Sequence, residues 1–187
     1  LENEDLNKKI LKKIIEPTLK GLKDLDTDFV GFLYAGLMVL NDEPFLIEYN
    51  VRMGDPECQT ILPLLETDLY EIFDYCCENK LEDIKINWNN KKSLCTVLCS
   101  KGYPDEYKKN IEIKNIKNLK LNSNDYLFHA GTVKKNDNIY ATGGRVLNFV
   151  SLSDSFNIAR DNNLNYIKRL NWDNGFFRND IGYKVID

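Results

Sequence analysis

The residue types best suited to chemistry are concentrated in one run of ten, Glu48-Tyr-Asn-Val-Arg-Met-Gly-Asp-Pro-Glu57. The stretch entering it, Phe45-Leu-Ile-Glu-Tyr-Asn50, reads as a strand. Strand alternation puts Phe45, Ile47 and Tyr49 on one face and Leu46, Glu48 and Asn50 on the other, with Arg52 next along that second side. A carboxylate and an amide oxygen then point the same way, their Cα atoms about 7 Å apart by strand rise. Two such oxygens suit a hard cation such as magnesium, which takes few protein ligands and fills its shell with water and phosphate oxygens. Arg52 could hold a phosphate in a two-pronged contact. Gly54 permits a sharp exit, Asp55 is placed to cap a helix with Pro56 at its first position, and Glu57 falls in the first turn. A lone Glu-x-Asn is usually a solvated strand face and a lone Asp-Pro-Glu only a helix start. Their combination with Arg52 favours function, because a structural hairpin needs none of these charges on one face.

The surrounding elements follow from periodicity. Leu6, Ile10, Leu11, Ile14 and Ile15 recur at the helical period over residues 6–20, and Pro17 disturbs the end. Residues 29–40 read as a strand and Asn41-Asp-Glu-Pro44 as a turn, so with Phe45–Asn50 they predict a β-hairpin. Beyond Pro56, Ile61, Leu64, Leu65, Leu69, Ile72, Phe73 and Cys76 predict one helix. The polar, Asn-rich stretch 79–92 marks a boundary, which divides the chain into domains 1–85 and 92–187. Ser93–Cys99 then reads as a strand broken by Gly102-Tyr-Pro104. Short β-like runs follow at 127–132, 139–142 and 145–152, punctuated by Gly131, Gly143 and Gly144. A helix carrying Phe156, Ala159, Leu164, Ile167 and Leu170 comes next, and residues 172–183 close the chain.

Bulk properties narrow the function classes. With 187 residues and 43% hydrophobic content the chain can fill a core. A net charge of −4 and a pI near 5.2 argue against a nucleic-acid partner. No run approaches the roughly 18 apolar residues of a membrane helix, so no membrane partner is expected. The five cysteines lack zinc-site spacing, and the single histidine, His129, is distant in sequence. Reduced, buried thiols in a cytoplasmic protein are the expectation. The chain begins without Met and runs straight into a helical pattern, as a fragment would.

Six segments in order carry a resemblance. Gly31-Phe-Leu-Tyr-Ala-Gly-Leu-Met38 followed by Ile47–Gln59, then Lys101-Gly-Tyr-Pro104, Phe128-His-Ala-Gly-Thr132, Thr142-Gly-Gly-Arg-Val-Leu147 and Phe177-Arg-Asn-Asp-Ile-Gly182 resemble the glycinamide ribonucleotide synthetase family of ATP-grasp enzymes, over roughly residues 6–186. Met53, Cys58 and Asn179 depart from the Phe, Thr and Lys expected there. A different ATP-grasp ligase sharing the metal strand would lack the later segments, and a non-catalytic module would have no need of intact Glu48, Asn50 and Arg52.

The resemblance implies an α+β fold: the C-terminal half of an ATP-grasp domain, an antiparallel sheet with helices, followed by a small mixed β-rich domain. It implies ligation of 5-phosphoribosylamine and glycine in purine biosynthesis, with ATP as co-substrate and Mg2+ or Mn2+ as metal. By position, Glu48 and Asn50 would be metal ligands, and Arg52, Asp55 and Glu57 catalytic-site groups. His129, Gly143, Gly144 and Arg145 would bind substrate, with Arg145 on the ribose phosphate and the two glycines bringing backbone amides to a phosphate. Arg178 and Asp180 would be a structural pair. Residues 29–40 offer no carboxylate for a second metal. The family's N-terminal domain and nucleotide-binding lysines would precede Leu1, so this chain is expected to bind ATP weakly, not to turn over alone, and to need that missing part as its partner.

Overall fold

The computed structural model describes residues 3–186, an α+β chain in two compact units. The first comprises the described residues up to Gly54 together with Asp68–Lys85; the second comprises Asp55–Thr67 and the described residues from Ile86 onward.

The first unit opens with α1 (Glu4–Ile10), capped by Asn3, whose side-chain oxygen accepts from the Leu6 amide at 2.7 Å. A π turn over Leu11–Ile15 leads without a break into α2 (Glu16–Asp24). Pro17 therefore does not end the helix at residue 20. It stands in the first turn of α2, and the wide turn before it is closed by the Glu16 amide on the Leu11 carbonyl, so the amide that proline lacks goes unmissed. The hairpin forms from β1 (Tyr34–Leu40) and β2 (Glu43–Asn50). Its turn is only Asn41-Asp42, both at positive φ as a two-residue primed turn demands, so Glu43 and Pro44 join the strand. β1 starts at Tyr34 rather than Phe29, because Gly31 takes a φ of 140° and breaks the extended run.

The single helix expected between Ile61 and Cys76 is interrupted. Its first part is α3 (Glu57–Ile61) plus one 3-10 turn with Pro63 inside it; the second is α4 (Leu69–Cys77), capped by Asp68. Between them Leu65 pairs with Trp88, and Asn89 donates to the Leu64 carbonyl at 2.7 Å. This clip binds residues 55–67 to the second unit, which local periodicity does not reveal. In the first unit, Phe73 of α4 meets Phe32 edge to face.

The second unit is built on β3 (Lys92–Ser100), β4 (Ile111–Glu112), β5 (Asp125–His129), β6 (Thr132–Lys135), β7 (Asn138–Ala141), β8 (Arg145–Ser153), α5 (Phe156–Leu170) and β9 (Gly175–Phe176). One antiparallel sheet has the order β5-β8-β3-β9 and a second the order β4-β7-β6. β8 lies centrally and is buried from Val146 to Leu152. Leu98, Leu147 and Phe149 pack with Tyr166, Ile167 and Leu170 of α5, while Cys95, Val150 and Leu152 on the other face pack with Leu64. The run expected over 127–132 splits after His129, because Gly131 turns to accept from the Thr142 and Gly143 amides. Among the described residues no helix is long and apolar enough to cross a membrane.

Candidate active site

On β2, Tyr49 turns toward the helix: its hydroxyl lies 2.6 Å from Thr18 Oγ1 and donates to the Ile14 carbonyl at 3.1 Å. Glu48 and Asn50 alternate to the other side, where Asn50 Nδ2 donates to Glu48 Oε1 at 3.0 Å. Gly36 pairs with Glu48 across the hairpin, and a Cβ on it would lie 3.1 Å from Glu48 Cγ. The glycine thus gives the carboxylate arm its room. A bulge between Gly36 and Leu37 leaves Ile47 without a partner opposite and re-aims the strand just before Glu48. Arg52, exposed beyond the strand, donates through Nη1 to the Met53 carbonyl at 3.1 Å.

Two hard oxygens on one exposed face fit a divalent cation, once the Asn50 amide turns its oxygen outward beside the carboxylate. Among the described residues no group of three or more His, Cys, Asp or Glu side chains could hold a metal. A cation at Glu48 and Asn50 would therefore draw the rest of its shell from phosphate, water or groups beyond these residues.

Asp55 and Glu57 belong to the second unit, and there the structure brings together residues 90 positions apart. Arg145, at the start of β8, donates through Nη1 to the Asp55 carbonyl at 2.9 Å, and its Nη2 lies 3.2 Å from Asp55 Oδ2. The other carboxylate oxygen accepts from Gln59 Nε2 at 2.9 Å. Asp55 is therefore not the cap of α3, as its position suggested. Pro56 holds the cap position, and the Asp55 carboxylate faces the sheet and Gln59 instead. Sequence reasoning missed Gln59, although its i,i+4 spacing from Asp55 was a usable signal.

The thiols under α3 are buried and quiet. Burial pushes the Cys95 thiol up to about 12, with Asp55 and Glu57 adding to the rise against a hydrogen bond from Thr60. Cys99 is raised by burial too, with Arg145 opposing. All five cysteines are unbridged; Cys95 and Cys99 are buried as expected, but Cys77 is exposed.

The remaining candidates are engaged locally. His129, exposed at the end of β5, has its Nδ1 2.9 Å from Thr132 Oγ1. The Gly143 amide donates to the Gly131 carbonyl, and the Gly143 and Gly144 carbonyls accept from the Ser100 hydroxyl and amide. Gly131 and Gly143 approach so closely that a Cβ on Gly131 would lie 2.5 Å from Gly143 Cα, and one on Gly144 would strike the Tyr103 ring. Arg178 and Asp180 form a two-pronged ion pair at 2.9 and 2.7 Å.

Comparison with known proteins gives these residues a family. The model described as phosphoribosylglycinamide synthetase, ATP-grasp (A) domain, matches residues 1–58, and that described as phosphoribosylglycinamide synthetase, C domain, matches 93–184. The phosphoribosylamine–glycine ligase of Fusobacterium nucleatum is 39% identical over 178 residues, which is 95% of this chain and 42% of that protein. That of Caldanaerobacter subterraneus is 40% identical over 183 residues, 96% of this chain and 43% of that one. The crystal structure of phosphoribosylamine–glycine ligase from Thermotoga maritima superimposes with a TM-score of 0.76 at 29% identity, covering 97% of this chain and 44% of its own. The chain spans about two-fifths of the length of the curated relatives it matches. With both models matched in order and this structural neighbour, the chain belongs to the phosphoribosylglycinamide synthetase family, of which it carries the C-terminal portion.

Proposed function

We propose that this chain contributes part of the active site of an ATP-dependent ligase joining 5-phosphoribosylamine and glycine, cytoplasmic and acting in purine biosynthesis. The observation that carries the reading is the Glu48–Asn50 pair, two oxygen-bearing side chains on one exposed strand face with a glycine opposite to make room. In this reading residues 1–85 complete an ATP-grasp domain and 92–187 form a substrate-facing domain. Glu48 and Asn50 hold Mg2+ or Mn2+, which when bound neutralises charge on the transferring phosphoryl group. Arg52 clamps a phosphate oxygen, and Asp55 and Glu57 serve as further catalytic-site groups. Glycine is activated as glycyl phosphate, ATP leaving as ADP; the amine then displaces phosphate.

Arg145 gives one N–H donor to the Asp55 carbonyl and forms an ion pair with its carboxylate, and the remaining donors suit the ribose phosphate. His129 and the Gly143-Gly144 corner line the same substrate. The partner is the remainder of the enzyme, a proposal supported by the exposure of Leu40, Phe45 and Ile47 on the hairpin. The test is ADP formation by the full-length enzyme, required to depend on both glycine and phosphoribosylamine. Glu48→Ala and Asn50→Ala should each lower it by about a hundredfold or more, as loss of a transition-state charge contact does. Unchanged turnover and metal dependence in both variants would remove Glu48 and Asn50 from the site.

A further inference from the structure

Buried polar groups in the second unit are mostly paired. Asn163 accepts from Ser151 Oγ at 2.7 Å and donates to the Leu94 carbonyl at 2.8 Å, and Tyr166 donates to Asp125 Oδ2 at 2.6 Å. Ser93 Oγ, Asp125 Oδ1 and Arg160 Nε lack a partner, and so do two carboxamides close in the fold, Gln59 on α3 and Asn148 on β8. Asn148 is 1% exposed, and neither its Nδ2 nor its Oδ1 meets a protein partner. Gln59 has a buried Oε1 in the same condition, while its Nε2 is given to Asp55. A native fold rarely leaves such groups without a hydrogen bond.

Their places in the fold bring them to one spot. α3 is pinned to the sheet where Asp55 meets Arg145, and again where Thr60 meets Cys95, which pairs with Val150. Gln59, one turn beyond Asp55, therefore lies over β8 between Arg145 and Val150. Asn148 shares that face: it pairs with Val97 and Phe128, which pack with Cys95 and Val150. Whichever way its amide is turned, Asn148 offers one NH2 and one oxygen.

We propose that Gln59 and Asn148 are joined through one buried water and act as positioning residues for Asp55 and Arg145. The water accepts from the Asn148 NH2 and donates to Gln59 Oε1, within the usual valence of an internal water. The bridge fixes Gln59, Gln59 fixes the Asp55 carboxylate, and Asp55 fixes the Arg145 guanidinium. The function of the relay rests on the ligase reading, but its geometry is testable without turnover.

The experiment is 15N NMR on the 187-residue chain. Gln59→Leu should shift the Asn148 side-chain NH2 signals and the Arg145 Nη–H signals, and speed exchange of those Nη protons about tenfold, the equivalent of one net hydrogen bond. Asn148→Leu should do the same to the Gln59 NH2 and to Arg145, whereas Asn148→Ser, which keeps a donor and an acceptor for the water, should restore the Arg145 signal. An Asn148 side chain that serves packing alone would change the melting temperature and leave Arg145 unmoved. Should Asn148→Leu fail to fold, Gln59→Leu, at a half-buried position, decides the matter. Unmoved Asn148 or Arg145 signals in Gln59→Leu would overturn the proposal and leave the ligase reading standing.

Discussion

Gly131 marks the corner between β5 and β6, where its carbonyl collects two amides and its α-carbon faces Gly143. A methyl group there meets backbone that has nowhere to retreat. Gly131→Ala should therefore cost about 1–3 kcal/mol, the range for overpacking, read as a lowered urea midpoint at unchanged slope. Gly143→Ala should cost less, since its Cβ would stop at 3.0 Å from Gly131 Cα. At this scale the sequence was legible wherever the reasoning was local. Strand alternation alone placed Glu48 and Asn50 on one face, and their side chains do touch. Partners distant in the chain were not legible: Asp55 and Arg145 were both singled out, but nothing local could join residues 90 apart. Asn148 did leave a signal, a polar residue inside the apolar run Val146–Val150, whose meaning needed the helix above it.

Elements were read well in type and less well at their ends, and each miss has a cause. Pro17 looked like a terminator but fell in a first turn, where proline is tolerated, and a two-residue turn drew Glu43 and Pro44 into β2. That shift matters, because Glu43 clamps the hairpin to α1 and the π turn through Lys9, at 2.6 Å, and Lys13. Lys13 first, then Lys9, holds the Glu43 carboxyl at about 2 instead of its ordinary 4.5. A depressed carboxyl contributes its stabilisation fully above the unfolded value and loses it as pH falls through the folded one. The helix–hairpin contact should therefore weaken between about pH 4.5 and 2. Amide exchange in β2, compared between the native chain and Glu43→Gln, checks this. The variant should lack the acid-induced loss of protection in that window, and identical profiles would show that the clamp contributes nothing. The pair is exposed, so the effect should shrink as salt is added.

For the molecule as a whole, buried apolar mass is distributed unevenly. Leu6 and Ile14 are the buried hydrophobic residues described in the first unit, whereas Leu98, Val146, Leu147, Phe149 and Leu170 are among many in the second. Opening free energy follows buried apolar contact, so amides of β8 and α5 should exchange slowest and those of β1 and β2 fastest. A gap of about a hundredfold or more in protection factor is expected, roughly 3 kcal/mol. Equal protection across both units would contradict it. Periodicity marked out helices and strands and the resemblance implied the α+β fold, but neither announced the path of the chain, because the clip of residues 64–66 onto 87–89 is a non-local contact. That path has a consequence for how such a protein is inherited. The backbone passes from one unit to the other after Gly54, after Thr67 and again after Lys85. A gene segment beginning at residue 86 would leave behind α3 and Leu64, the cover of Cys95, Val150 and Leu152, together with Asp55, the partner of Arg145. The second unit is therefore stitched to its neighbour rather than appended to it. Recombination could move the pair together far more readily than it could trade either one as a cassette.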